Sequence, residues 1–201
     1  MNEILSFFIG FMSSFMAGAF TVYLVRFRNK RFSFKRIMKE VSYLHSKIEN
    51  DGYKPDIIIT IDRNGAIIGS ILSGFLGLKS IISIATINKR NSEGKRTIKI
   101  SEDHFINLEI IRDKNVLIFI GFNSSGTALE TVYSYIKSSD HKAKKIMTAS
   151  LYTTVSPKFK PKYFSQQVGE KNKQSIIEVL SKMPWMTEKW IHVMGNERFK
   201  S

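Results

Sequence analysis

From Asn115 to Leu129 the chain reads NVLIFIGFNSSGTAL: a short run of large apolar residues passes into small polar ones and then into a helix pattern. An apolar run this short fits a strand buried on both faces, and such strands belong to parallel sheets whose neighbours are reached through helices. The turn at Asn123, Ser124, Ser125, Gly126 and Thr127 combines backbone N–H groups, hydroxyls and a helix N-terminus, a set of donors suited to one anion, phosphate above all. A second unit follows the same plan. Ile57–Ile61 leads into Asp62, Arg63, Asn64 and Gly65, and a helix pattern runs from Gly65 to Leu76. Two such units, each with a turn suited to phosphate or pyrophosphate, point to an α/β protein that handles a phosphorylated sugar or nucleotide.

The rest of the chain extends the alternation. Ile37, Val41, Leu44 and Ile48 recur at helical spacing and predict an amphipathic helix over Phe32–Asn50. Ser80–Ile87 reads as a strand, and the charged stretch from Asn88 to Asp103 as a mobile loop or loose hairpin. Leu108–Ile111 reads as a short edge strand, Val116–Ile120 as the third buried strand, Ala128–Ser138 as a helix and Lys145–Tyr152 as a fourth strand. Beyond Pro157 the pattern is irregular, with a helix over Asn172–Met183 and a last short strand at Trp190–Val193. This order predicts a doubly wound, mostly parallel sheet, whose ligands sit at the carboxyl ends of the strands.

Ahead of this domain, Ile4–Val25 is uncharged and mostly apolar. At about 1.5 Å per residue it spans roughly the 30 Å hydrocarbon layer of a bilayer. It has no basic residue before it. Arg26, Arg28, Lys30, Arg31, Lys35, Arg36 and Lys39 follow it, and the positive-inside rule places them in the cytoplasm with the N-terminus outside. The expectation is a single-pass protein of the inner membrane: residues 1–25 a transmembrane helix, 26–40 a basic juxtamembrane segment and 41–201 the cytoplasmic domain. Small residues such as Gly10, Ala17 and Gly18 would let two such helices pack as a homodimer. The net charge of +14 suits anionic partners in general. Absence of Cys excludes thiolate chemistry, and four scattered His residues give no metal-ligand spacing, so no protein-bound metal is expected.

The order IITIDRNGAIIGSILSGFLGL, a charged loop, VLIFIGFNSSGTAL, IMTASLYT and a late KWI resembles the purine-type phosphoribosyltransferases, the xanthine-guanine branch especially, over roughly Val41–Val193. The resemblance implies the type I phosphoribosyltransferase fold. It also implies pyrophosphate binding by Arg63, Asn64 and Gly65, and a 5'-phosphate cradle at Asn123–Thr127. Trp190 and Ile191 would stack on a base, and Mg²⁺ would accompany the ligand. Where the family carries two adjacent carboxylates this chain has Ile120 and Gly121, a later acid position holds Ser124, and Thr154 replaces a base-reading lysine, with Lys158 nearby. Losing those acids removes negative charge from the reacting sugar, which commonly lowers a rate by orders of magnitude. The expectation is a membrane-anchored, phosphoribosyltransferase-like binder of phosphoribosyl pyrophosphate or a nucleotide, with weak or lost transferase activity. The alternative is an active transferase that draws its acid from Glu102 or Asp103. A nucleic-acid partner is disfavoured, because no helix-turn-helix or aromatic strand platform is legible.

Overall fold

A computed structural model of the chain describes residues 34–90, 96–101 and 107–169, together with Asn172 and Ile176. The chain divides into two compact units, Met1–Met38 and Lys39–Ser201. Helix α1 (Phe34–Asn50) opens the described part. It is followed by β1 (Ile57–Ile61), α2 (Asp62–Phe75), β2 (Ile81–Ile84), β3 (Thr86–Arg90), β4 (Arg96–Ile100), a 3-10 turn (Leu108–Ile111), β5 (Asn115–Asn123), α3 (Thr127–Ser138), β6 (Lys145–Thr154) and β7 (Tyr163–Val168).

Five strands form one parallel sheet in the order β2-β1-β5-β6-β7. From β1 the chain moves outward to β2 and then returns to the other side of β1 as β5. The boundary between β1 and β5 is therefore the point where winding reverses, and crevices open there at the carboxyl ends of strands. Ile57–Ile61 is buried at every position, as its four isoleucines require, and the one hydroxyl among them, on Thr60, donates to the Ile82 carbonyl at 3.2 Å. Ile57, Ile59, Ile61, Val116, Ile118 and Ile120 pack with Leu129, Val132 and Ile136 of α3 on one face of the sheet. On the other face α2 lies almost in contact with the strands. A Cβ on Gly69 would stand 2.4 Å from Thr60 Cγ2, and one on Gly65 would stand 3.4 Å from the Phe119 carbonyl oxygen.

Several expectations are corrected. Leu108–Ile111 is a 3-10 turn and not an edge strand. Leu108 and Ile111 are buried while Glu109 and Ile110 are exposed, a spacing of three instead of two. The Asn107 side chain accepts the Glu109 N–H at 3.0 Å and starts the turn. The strand expected over Ser80–Ile87 is two elements: β2 ends at Ile84, and Thr86 opens an antiparallel hairpin with β4, in register Thr86 to Ile100. Helix α2 begins at Asp62, so the residues read as a turn after β1 form its first helical turn.

The tail after Pro157 contains a full strand, β7. Its polar residues hid it: Ser165 donates to the carboxylate of Glu40 on α1, and Gln166 donates to the same group at 2.7 Å. That partner lies more than a hundred residues away, and no local pattern announces it. Among the described residues no helix is long and apolar enough to cross a membrane. Ile4–Val25, the basic segment after it up to Arg31, and Trp190–Val193 lie outside the described residues, as does most of Asn172–Met183.

Two phenols pin the amino end of the sheet. Tyr53 donates to the Val116 carbonyl at 2.8 Å, and Tyr163 donates to Asp51 Oδ2 at 2.5 Å. Burial pushes both phenols above their ordinary range, and for Tyr163 the bond to Asp51 adds to the effect. Folding therefore holds both protonated. The stability they give is complete below the ordinary phenol value of about 10 and is lost as the pH rises toward the folded values. The melting temperature is expected to fall between about pH 10 and 12, and a Tyr53→Phe/Tyr163→Phe double variant is expected to fall less. Thermal melts followed at the tyrosinate absorbance check this.

Candidate functional site at the carboxyl end of the sheet

The turn after β5 is set by two demands on Gly126. Its φ is +88, in the left-handed region, and a Cβ there would stand 2.4 Å from the Phe159 nitrogen and 2.7 Å from its carbonyl oxygen. Only glycine meets both conditions at little cost. Main-chain and side-chain bonds then lace the turn to the last residue of β6 and to the segment that follows it. The Lys158 N–H donates to the Ser125 carbonyl at 2.8 Å, and Thr154 Oγ1 donates to the Ser124 carbonyl at 2.6 Å.

Each residue of the turn has a distinct place. Asn123 is 1% exposed, and its amide donates to Thr153 Oγ1 at 3.2 Å and to the Phe159 carbonyl at 3.0 Å. Its amide hydrogens thus tie β5 to the neighbouring segment and do not face outward. Ser125 is exposed, and its hydroxyl donates to Thr127 Oγ1 at 3.1 Å. The first hydrogen bond of α3 runs from the Glu130 N–H to the Gly126 carbonyl at 2.9 Å. The Thr127 N–H donates to Ser125 Oγ at 3.4 Å, and the N–H groups of Ala128 and Leu129 are the orphan donors that a helix start carries beside the two hydroxyls. Ser125, Gly126 and Thr127 together form the anion-suited part of the turn.

At the end of β1, Asp62 takes a φ of +59. Its carboxylate accepts from the Thr86 N–H at 2.7 Å and from the Thr86 hydroxyl at 3.1 and 3.0 Å, so the start of the hairpin fixes this strained residue. Arg63 is exposed in the first turn of α2. Asn64 lies against Gly121, whose Cβ would stand 3.4 Å from Asn64 Cβ. The Asn64 Oδ1 is buried and meets no donor among the described residues. Gly65 is buried against the backbone of β5, so its small size serves the seating of the helix on the strand. The start of α2 and the turn before α3 thus flank the reversal between β1 and β5.

Other expected site residues divide between those placed and those outside the described part. Ile120 and Gly121 are buried in β5, where the resemblance would place two acids. Thr154 is 3% exposed and clamps the turn, as described, in place of reaching outward. Lys158 stands beside the turn, with Nζ 3.4 Å from Glu130 Oε2 and its side chain 72% exposed. Trp190, Ile191, Glu102 and Asp103 lie outside the described residues. Sequence reading missed Thr86, which holds Asp62, and Phe159, whose backbone closes over Gly126. Neither has a local signal, since both act through contacts distant in sequence.

The family profile described as phosphoribosyl transferase domain matches residues 33–185. No protein of curated function matches the chain. Among solved structures, a purine phosphoribosyltransferase from Pyrococcus horikoshii is 26% identical, with a TM-score of 0.55 over 68% of this chain and 86% of that one. A protein from Neisseria gonorrhoeae solved with bound ppGpp is 23% identical, with a TM-score of 0.60 over 69% of this chain and 82% of its own. The xanthine-guanine-hypoxanthine phosphoribosyltransferase of Helicobacter pylori is 22% identical, with a TM-score of 0.59 over 72% of this chain and 97% of its own. The parallel sheet, the helix starts flanking its reversal and the profile match agree: this chain belongs to the phosphoribosyl transferase domain family.

Proposed function

We propose that this domain binds a phosphorylated sugar or nucleotide, with the phosphate ester seated on the turn Asn123–Thr127, and that its transferase activity is weak or lost. The observation that carries the reading is the Gly126 turn, in which the exposed Ser125 hydroxyl, the half-buried Thr127 hydroxyl and the first N–H groups of α3 lie together at the reversal of the sheet. Arg63, exposed at the start of α2, is the group suited to a second phosphate or a pyrophosphate. The ppGpp in the Neisseria gonorrhoeae structure favours a nucleotide carrying more than one phosphate group over a simple sugar phosphate.

Weak chemistry follows from what stands at this end of the sheet. Residues 119–123 are Phe, Ile, Gly, Phe and Asn, with no carboxylate to stabilise a developing cation on a sugar. Asp62 is engaged by Thr86, and Glu130 faces Lys158. Among the described residues no group of three or more His, Asp or Glu side chains is placed to hold a metal ion, so a Mg²⁺ accompanying the ligand would rest chiefly on the ligand's own phosphate and ribose oxygens. The apolar run Ile4–Val25 and the bases after it make a single inner-membrane anchor, with the domain in the cytoplasm, part of the same proposal.

Purified full-length chain in detergent is expected to melt several degrees higher with phosphoribosyl pyrophosphate, a purine nucleoside monophosphate or ppGpp, since a ligand at a hundred times its Kd adds about 2.7 kcal/mol. Ser125→Ala/Thr127→Val is expected to weaken binding roughly tenfold or more, because each hydroxyl bond to a charged group is worth about 1.5–3 kcal/mol. No ligand-induced shift with any of the three would remove the proposal. Turnover of phosphoribosyl pyrophosphate with guanine, xanthine or hypoxanthine that disappears in Arg63→Ala would replace the binder by an active transferase.

A further inference from the structure

One flank of α1 and the outer edge of the sheet carry a surface that the phosphate site does not use. Lys39, Tyr43 and Lys47 recur at every fourth position and form one stripe, lateral to the buried Val41, Leu44 and Ile48. Tyr43 is 52% exposed. Lys47 Nζ lies 4.7 Å from the Tyr43 ring centre and 5.0 Å from that of Phe164 on β7. From the other side Lys160 Nζ reaches the Phe164 ring at 5.3 Å. The sequence of groups across the face is thus lysine, aromatic, lysine, aromatic, lysine. Glu40, next to Lys39, is turned inward onto Ser165 and Gln166, and the exposed Glu49, two residues after Lys47, lies 3.4 Å from His45 Nε2.

Lys47 also donates to the Phe164 carbonyl at 3.0 Å, which blunts an edge strand. Edge protection accounts for that lysine alone. It does not account for an exposed tyrosine between Lys39 and Lys47, or for Lys160 approaching the same ring.

We propose that this face docks on the headgroups of an anionic bilayer, with Tyr43 at the interface and Lys39, Lys47 and Lys160 on the acidic lipids. Two features select a membrane. The mixture of aromatic rings and lysines is the composition of interfacial segments, where rings sit at headgroup level and ammonium groups attract acidic lipid. The chain preceding α1 also ends its apolar run at Val25 and continues through a basic stretch, so this helix is the first described element after the anchor put forward above. The docking proposal rests on that anchor for its geometry. Docked in this way, the domain would be held against the bilayer along α1 instead of swinging on its tether.

The absence of cysteine allows a single reporter to be placed without background. An environment-sensitive fluorophore on Ser46→Cys, exposed on α1 beside the stripe, would be compared with one on Ser138→Cys, exposed at the end of α3. Full-length protein would be reconstituted in vesicles of phosphatidylcholine alone or with phosphatidylglycerol added. The expected result is a blue shift of the Ser46 reporter that appears only with phosphatidylglycerol, and none at Ser138. Lys39→Glu, Lys47→Glu and Lys160→Glu are each expected to weaken the response about fivefold or more, from about 1 kcal/mol per basic group near the surface. Tyr43→Ser is expected to reduce the shift while leaving the melting temperature nearly unchanged.

Equal signals in both lipids, or signals that survive all three charge reversals, would overturn the docking face. Flotation with phosphatidylcholine vesicles tests the anchor independently. Protein that floats without an acidic-lipid shift keeps the anchor and loses the docking face. Protein that floats only with acidic lipid, and shifts there, keeps the docking face and loses the anchor. A shift produced by a single-stranded oligonucleotide and not by acidic vesicles would make the partner a nucleic acid and also overturn the proposal.

Discussion

Gly126→Ala is expected to cost the fold about 3 kcal/mol and to abolish binding of a phosphate ester. A left-handed backbone costs a residue with a Cβ roughly 1–2 kcal/mol. Pushing that Cβ into packed atoms costs about 1–3 kcal/mol more. At φ +88, with the Phe159 nitrogen 2.4 Å from the position the Cβ would take, both costs apply together. The obstacle is main chain, so no side-chain rotation relieves it, and the 158–159 segment must move away from Ser125. Urea denaturation of the variant gives the stability, and the ligand-induced shift in melting temperature gives the binding. Ser125→Ala is the control: it removes one exposed hydroxyl and its long 3.4 Å bond from the Thr127 N–H, adds no atom to the turn, and should leave stability within about 1 kcal/mol. A Gly126→Ala variant that is as stable as the parent and still binds would show that the close contact with Phe159 is not what shapes the cradle.

The second large effect is expected at Gly69, where the ordinary rule changes sign. Glycine inside a helix is less favourable than alanine by about 1 kcal/mol, so an alanine there usually stabilises. At Gly69 the added Cβ would stand 2.4 Å from Thr60 Cγ2 and 3.1 Å from Phe119 Cδ1. The expected outcome of Gly69→Ala is destabilisation by about 1–3 kcal/mol, and of Gly69→Val a larger loss. Gly74, on the same helix, has nothing within 4 Å of its Cβ position, and Gly74→Ala is expected to be neutral or mildly stabilising. Thr60→Ala removes the methyl that obstructs Gly69, although it also gives up the Thr60 hydroxyl bond to the Ile82 carbonyl at 3.2 Å. In a double-mutant cycle the pair should therefore be less damaging than the sum of its parts. Equal destabilisation by Gly69→Ala and Gly74→Ala would mean that helix α2 has room to lift from the strands, and that this packing does not fix its position.

How legible these features were depends on how local their causes are. Ile57–Ile61 was readable to the residue because four isoleucines in five positions, with only the β-branched Thr60 between them, need a strand buried on both sides. The helix after Gly126 was readable for a similar reason, since a glycine behind small hydroxyl residues starts a helix by local chemistry. Strand β7 was not readable, because Ser165 and Gln166 are tolerable in a covered strand only when Glu40 arrives from the far end of the chain. The short element at Leu108–Ile111 was misread because four residues can satisfy a period of two or of three, and the Asn107 cap decided the matter. Within the site, the position of the turn was legible and the orientation of its members was not. Asn123 has the chemistry of an anion donor, yet its amide hydrogens are taken up by Thr153 and Phe159.

The turn leans on Phe159 through peptide atoms, and Lys158 meets Ser125 through peptide atoms as well. Contacts of that kind are indifferent to which side chains the clasping segment bears. That clasp by itself places little demand on the side chains of residues 155–158, provided the loop keeps its length and course and the opposing glycine stays, whereas the Phe159 ring packs on Tyr133 and the core and Pro161 is buried. A pocket secured in this manner tolerates wide divergence in lettering while holding its contour, and relatives of such a protein are better sought by the spacing of their glycines than by matching sequence.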